Sequence, residues 1–331
     1  MPFMGTYIGK ATFGWVPTCW PLQFPRWAPP QVAIVPKSKP NRQLTCGAHL
    51  GVESQQRWAA STQGETQMST KFDYGLDLTN NSKVGWAFSL PRSKTCVNAT
   101  NICKRLCYGN GIRYQSAGQK SKKERNFRTA EFLLREGGPE LLFQNLCTVV
   151  EQARPRDWLT AQITGRQTVI PWTLRIHDVG DFYSVDYVRA WFLTVQKYAG
   201  CKFWFYTRSF LDVELFEALS SLAALPNCQG LLSIDSDNFE QAIIAKCKSP
   251  AGVWNMALLQ DSVLNSNLVP ALSAIEDSVD IVNFPYHRSG RHVAPLRSKL
   301  LTNCPAVVGG LSLKASKDSL RPCQSCTICL P

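Results

Sequence analysis

Read for its hydrophobic and polar positions, the chain changes character twice. Residues 84–90 (VGWAFSL) form a short apolar run that Pro91 ends, the pattern of a strand in a covered sheet. From residue 172 a regular alternation begins, with apolar runs at 173–177, 202–206, 230–234, 253–258 and 280–284 separated by segments of helical period. In the clearest helix Ser184 caps the start, Val188, Trp191, Phe192, Val195 and Tyr198 share one face, and Gly200 ends it. Further helices are expected through 211–222 and about 239–245. Between the first two strands a basic helix runs toward Leu134, and Pro139 opens a second one carrying Leu141, Leu142, Leu146, Val149 and Val150. Six strand–helix units call for a parallel sheet with right-handed crossovers. The fold class expected is α/β, a partial (βα)6 barrel whose chemistry sits at the C-terminal strand ends.

Residues 1–67 differ from everything after them. They hold eight of the 20 prolines and four of the ten tryptophans, lack aspartate, and show neither helical nor strand period. A disordered extension, or a gene start set too early with Met68 as the natural one, accounts for them. Cys19, Cys46 and His49 have the spacing of no familiar metal site. The expected organisation is therefore 1–67 as an extension, 68–300 as the α/β unit and 301–331 as a cysteine-rich C-terminal segment.

Composition narrows the class. With 44% hydrophobic and 18% charged residues in 331, the chain reads as globular, with enough length for a real core. No apolar run reaches membrane-span length, and no signal-peptide order opens the chain. Thirteen cysteines, an odd number without an export signal, point to reduced thiols and a cytoplasmic setting. A net charge of +12 favours polyanionic partners such as nucleic acid or a nucleotide substrate.

The cysteines carry the candidate chemistry. Cys96, Cys103 and Cys107 follow the first strand with spacing C-x6-C-x3-C. Three thiolates on one loop can hold three irons of a 4Fe–4S cluster and leave the fourth open, or bind zinc with a ligand from elsewhere. Cys304, Cys323, Cys326 and Cys329 (C-x18-C-x2-C-x2-C) supply four more, suited to a second 4Fe–4S cluster or to zinc. Cys147, Cys201, Cys228 and Cys247 read as ordinary core residues. The other strand ends are polar: Arg175, His177, Asp178, Gly180 and Asp181, then Tyr206, Thr207 and Arg208, then Ser233, Asp235 and Asp237, then Asn283, Tyr286, His287 and Arg288. Gly180 lets backbone approach a ligand closely, and Asp181 offers a carboxylate to an ammonium or ribose hydroxyl. No Ser-His-Asp order and no P-loop competes with this rim.

The sequence of motifs SLP…TC…C…CY, ERN, RIHDVGDFYS…YVRAW, FWFYTRS and NCP…CQSCTIC resembles the phage and mobile-element family called gene product 88, from about Val84 to the C-terminus. More remotely, the layout looks like radical SAM enzymes, whose partial six-unit barrel bears a three-cysteine loop after its first strand. That resemblance implies an iron–sulfur enzyme that takes S-adenosylmethionine and an electron donor. Gly180 and Asp181 would stand at the methionine-binding turn. Arg175, His177, Asp181 and Arg208 would be catalytic, and Asp178, Tyr206, Ser233 and Asp235 would contact the cofactor. The spacing departs from the usual C-x3-C-x2-C, and aspartate replaces the usual glutamate of the turn. The other reading is a non-catalytic zinc- or cluster-binding nucleic-acid-binding protein.

Overall fold

Among the described residues the sheet has eight strands, most of them where aromatic and β-branched residues crowd together. A computed structural model describes residues 75–166, 171–260, 281–285, 301–308 and 320–331. The strands are β1 (Thr79–Asn81), β2 (Gly85–Ala87), β3 (Thr173–Ile176), β4 (Lys202–Thr207), β5 (Cys228–Ile234), β6 (Trp254–Gln260), β7 (Ile281–Pro285) and β8 (Leu301–Asn303). Their order in the sheet is their order in the chain. β1 pairs antiparallel with β2, and every later neighbour is parallel.

All six expected strands are present. An eight-stranded open sheet stands where six strands of a partial barrel were expected, because β1 and β8 add an edge on each side. These are three-residue strands, TNN and LTN, with no apolar alternation to announce them. The extension at 1–67 and the rim residues Tyr286, His287 and Arg288 lie outside the described residues. No described helix is long and apolar enough to cross a membrane.

The two faces of the sheet are covered differently. Leu174 and Ile176, Phe203 and Phe205, Leu232 and Ile234, and Met256 and Leu258 share one core with the crossover helices. Those helices are α4 (Ala117–Gln152), α6 (Val185–Lys197), α7 (Val213–Ala223) and α8 (Phe239–Lys248). Short helices α1 (Arg92–Thr95), α2 (Asn101–Leu106), α3 (Ile112–Gln115) and α5 (Trp158–Thr164) lie between them in the chain. Helix α4 bends at Gly137 and Gly138, where φ of Gly138 is +66°, and Pro139 restarts it. Ser184 caps α6 through the Tyr187 N–H, as its place in the sequence predicts. Cys147, Cys201 and Cys228 are buried, but Cys247 is exposed: Phe239, Ala242 and Ala245 define the buried stripe of α8, and Cys247 falls off it.

The alternate strand residues Trp204, Leu231, Ala257 and Val282 face the other way and meet the C-terminal segment. Helix α9 (Pro322–Cys326) docks there. The Cys323 N–H donates to the Lys83 carbonyl at 3.0 Å, and Gln324 Nε2 donates to Thr173 Oγ1 at 2.9 Å. The end of the chain is thus fastened to β3 and to the β1–β2 turn, about as far away in sequence as the described residues allow.

Close packing between the helix layer and the sheet gives a direct test. A Cβ on Gly230 of β5 would stand 2.5 Å from the Trp254 ring and 2.8 Å from Ala223 Cβ. Gly230→Ala is expected to lower stability by about 1–3 kcal/mol, the range for an overpacked core. A denaturant midpoint equal to that of the wild type would show that Trp254 has room to move.

Candidate functional site

On the sheet face opposite the helices, a cavity of about 520 Å³ opens among the C-terminal strand ends. Arg175, Tyr206, Ser233, Ala257 and Phe284 contribute its sheet side, one from each of β3 to β7. Both cysteine groups border it: Cys103 and Cys107 from the loop after β2, and Cys304, Cys323, Cys326 and Cys329 from the end of the chain. Segments some 200 residues apart in the sequence therefore meet at one place.

Arg175 is fixed in the wall. Its Nε donates to the His177 carbonyl at 3.1 Å and its Nη2 to the Tyr108 hydroxyl at 2.9 Å. Its Nη1 lies 3.3 Å from Asp178 Oδ1, and the guanidinium stacks 4.7 Å from the Tyr206 ring centre. Asp178 is saturated in turn, because Oδ2 accepts from Asn81 Nδ2 and from the Tyr114 hydroxyl, each at 3.0 Å. A buried charge pair persists only with its remaining hydrogen-bond sites filled, and here they are. Arg175 presents a rigid positive surface, and Asp178 serves to hold it.

The three-cysteine loop is anchored at two points. Near its start, the Thr95 hydroxyl accepts from the Asp181 N–H at 3.3 Å and donates to the Pro91 carbonyl at 3.1 Å. Gly180 has φ of +99°, and a Cβ there would stand 2.7 Å from Leu90 Cβ and 3.0 Å from Thr95 Oγ1. The close approach expected of Gly180 is thus to the cysteine loop itself. Further on, Thr100 caps α2 by accepting from the Cys103 N–H at 3.0 Å. Its hydroxyl donates to Asp235 Oδ2 at 2.6 Å, and Arg208 Nη1 reaches both Asp235 Oδ2 (2.7 Å) and Thr100 Oγ1 (3.2 Å). Asp235 Oδ1 accepts from the Asp237 N–H at 2.9 Å, and Asp237 accepts from the Ile102 N–H at 3.4 Å. Arg208 and Asp235, expected to be catalytic and cofactor-binding respectively, stand as a buried pair that grips the cap of the cysteine helix.

Asp181 differs from its expectation in the same way. It is 6% exposed rather than free at a rim. Oδ1 accepts from the Phe182 N–H and Oδ2 from the Arg208 N–H, each at 2.8 Å. Burial pushes its pKa up to about 6 against the lowering effect of those hydrogen bonds. His177 has φ of +63°, rare for a residue with a side chain. That backbone turns its ring among Phe182 and Tyr187, with centroids at 4.6 and 5.6 Å, and Nε2 meets the Tyr187 hydroxyl at 2.8 Å. Burial and then Arg175 lower its pKa to about 3, so the imidazole is neutral near pH 7.

The thiols are crowded and desolvated. Burial raises the pKa of Cys96, with Asp181, Cys103 and Cys107 raising it further, and burial raises that of Cys103 against the lowering pull of Arg208. Cys323 is pushed up to about 11 by burial, against the opposing pull of Lys83 and Arg175. Bare thiolates are therefore disfavoured, and a bound cation would offset that cost. The donor chemistry suits zinc or an iron–sulfur cluster. The side chains as they stand do not close a centre: among the described residues no three His, Cys, Asp or Glu are grouped to hold a metal ion.

The family model described as gene product 88 matches residues 56–330. The chain belongs to the gene product 88 family. This match begins upstream of both Val84, where the motif resemblance begins, and Met68, so it includes part of the segment read from motifs as unmatched. Comparison with curated proteins and with solved structures found no match. Residue types alone point to Arg175, His177, Asp178, Gly180, Asp181, Tyr206, Arg208 and Ser233 as neighbours of one site; all eight border the cavity, and Asp235 is joined to it through Arg208. Thr95, Thr100, Lys83, Tyr108 and Tyr114 were missed. Thr100 alone carried a readable signal, a threonine three residues before Cys103 at a helix start.

The anchoring role of Asp181 predicts a stability effect. In Asp181→Asn the amide cannot accept both N–H groups, so one buried donor loses its partner and stability should drop by about 1–3 kcal/mol. The pH dependence should change too. The folded pKa is raised above the ordinary 3.8, so the folded state binds the extra proton. Wild-type stability should therefore fall between about pH 4 and pH 6 through a contribution the variant lacks. Parallel chemical-denaturation curves for the two proteins across that range would contradict the assignment.

Proposed function

We propose that this chain is an iron–sulfur enzyme whose substrate occupies the cavity bordered by its two cysteine groups. Cys96, Cys103 and Cys107 would hold one 4Fe–4S cluster, and Cys304, Cys323, Cys326 and Cys329 a second. The observation that carries the reading is the shared cavity, because a fold staple has no need of a 520 Å³ space beside it. A radical SAM-like activity is the finer proposal. In it the sheet forms the wall of a partial barrel and S-adenosylmethionine is the cosubstrate. A cluster held by three thiolates supplies an open iron and an electron, drawn from an external donor.

The chain's own residues do the rest. Arg175, stacked on Tyr206, presents a fixed cation to an anionic ligand group. Thr100, Arg208 and Asp235 hold the cysteine helix in register, and Asp181 fastens the loop behind it. Ser233 is the polar group available on the sheet side. A second reading has its own support: the docking of α9 onto Lys83 and Thr173 suits a zinc staple in a non-catalytic nucleic-acid-binding protein.

Anaerobic purification followed by iron, sulfide and zinc analysis separates the two. About eight irons per chain with matching sulfide is the expected result, and stoichiometric zinc without sulfide would end the iron–sulfur reading. Cys103→Ser should remove one cluster and leave the other visible by paramagnetic resonance, and Cys326→Ser should do the reverse. Joint loss from either change would point to a single shared centre.

A further inference from the structure

The charge of this protein is concentrated. Between Arg92 and Arg128 there are ten lysines and arginines against Glu124 alone, a net +9 within a chain of net +12. That stretch is the cysteine loop and the start of α4. Part of the charge is turned inward: Lys122 Nζ donates to the Leu78 carbonyl and Lys123 Nζ to the Tyr114 carbonyl, each at 3.0 Å, and Arg125 pairs with Asp77. Lys94 and Arg128 share Glu124. Lys104, Arg105, Arg113 and Lys120 are exposed, and Arg113 borders the cavity.

Among these cations stands an aromatic ring that is open and yet fixed. Tyr108 follows Cys107 directly, borders the cavity and is 46% exposed. Its hydroxyl donates to the Asp178 carbonyl and accepts from Arg175 Nη2, the two rings of Tyr108 and Tyr114 meet edge to face at 5.6 Å, and the Arg175 guanidinium lies 6.0 Å from the Tyr108 ring centre, leaving the rest of the ring to a partner. A ring clamped at its polar end loses little entropy when a flat partner settles on it. An immobile aromatic beside a cavity large enough for a nucleotide, with Arg113 at that cavity and further exposed cations on the same stretch of chain, is the chemistry that recognises a nucleic-acid strand with unstacked bases. A duplex keeps its base faces covered and cannot use the ring.

We infer that the cavity mouth docks a single-stranded nucleic acid, with a base stacked on Tyr108 and phosphates on Lys104, Arg105, Arg113 and Lys120. The inference rests on reading the cavity as a substrate site and is independent of which metal the cysteines hold. It names the substrate class of that site as a single-stranded polynucleotide.

Fluorescence anisotropy on the full chain, with metal content measured for every sample, tests this. Labelled oligothymidylate and oligouridylate distinguish DNA from RNA, and a duplex of equal length and heparin serve as competitors. A single strand should bind more tightly than either competitor. Tyr108→Leu should weaken it about fivefold or more, and Tyr108→Phe, which keeps the ring but loses the hydroxyl clamp, should recover only part of the loss. Lys104→Ala with Arg113→Ala should lower the salt dependence by roughly 0.7 in log–log slope for each phosphate contact removed. Equal binding of single strand, duplex and heparin, with Tyr108→Leu unchanged at wild-type metal content, would overturn the inference in favour of unspecific polyanion attraction. Absence of binding to either oligonucleotide would overturn it outright. A finding of zinc in place of iron would sink the iron–sulfur reading and leave this result standing.

Discussion

The site depends on one buried ion pair. Arg208 and Asp235 have side chains 5% and 0% exposed, so both charges have left water almost completely. Such a pair is tolerable only when its geometry is good and its other hydrogen-bond sites are filled. The Thr100 hydroxyl fills one, the Asp237 N–H another, and the Arg208 N–H reaches on to Asp181. The parallel sheet makes this possible, because it brings the C-terminal ends of β4 and β5 side by side with their following loops on the same edge. A loop carrying three thiols is thereby pinned through its helix cap rather than through the thiols. Cys103 and Cys107 of that loop are left to border the cavity.

The opposite anchoring is mechanical. Helix α9 has only five residues and cannot fold by itself. Its place comes from the backbone bond to Lys83, the Gln324 contact to Thr173, and the packing of Cys323 and Cys329 near Val84 and Trp204. Lys83 touches two parts of this C-terminal group, since its carbonyl receives Cys323 and its Nζ lies 3.6 Å from Cys304 Sγ. The antiparallel turn between β1 and β2, which no apolar pattern announces, therefore joins the chain's end to the sheet.

Much of this was legible in the residues and some was not. The six principal strands follow from aromatic and β-branched runs, and the break in α4 follows from Gly137, Gly138 and Pro139. The polar strand ends were legible as a group because charged residues seldom gather where strands end without a reason. Their individual roles were not, since a sequence does not say whether a carboxylate such as Asp181 meets a ligand or two backbone N–H groups. His177 misleads for a related reason: a normal strand alternation would aim it at the cavity, and its left-handed backbone turns the ring into the core instead. Tyr108 was passed over because its value lies in being held still, which only the Arg175 and Asp178 contacts disclose.

Two cysteine groups far apart in sequence border one space, whatever they bind. Treatment of the metal-stripped full chain with a short bifunctional thiol reagent, followed by peptide mapping, measures this. Cross-links joining Cys103 or Cys107 to Cys304, Cys323, Cys326 or Cys329 are expected. Cross-links confined within each group, under conditions where all of these thiols react, would contradict the shared space.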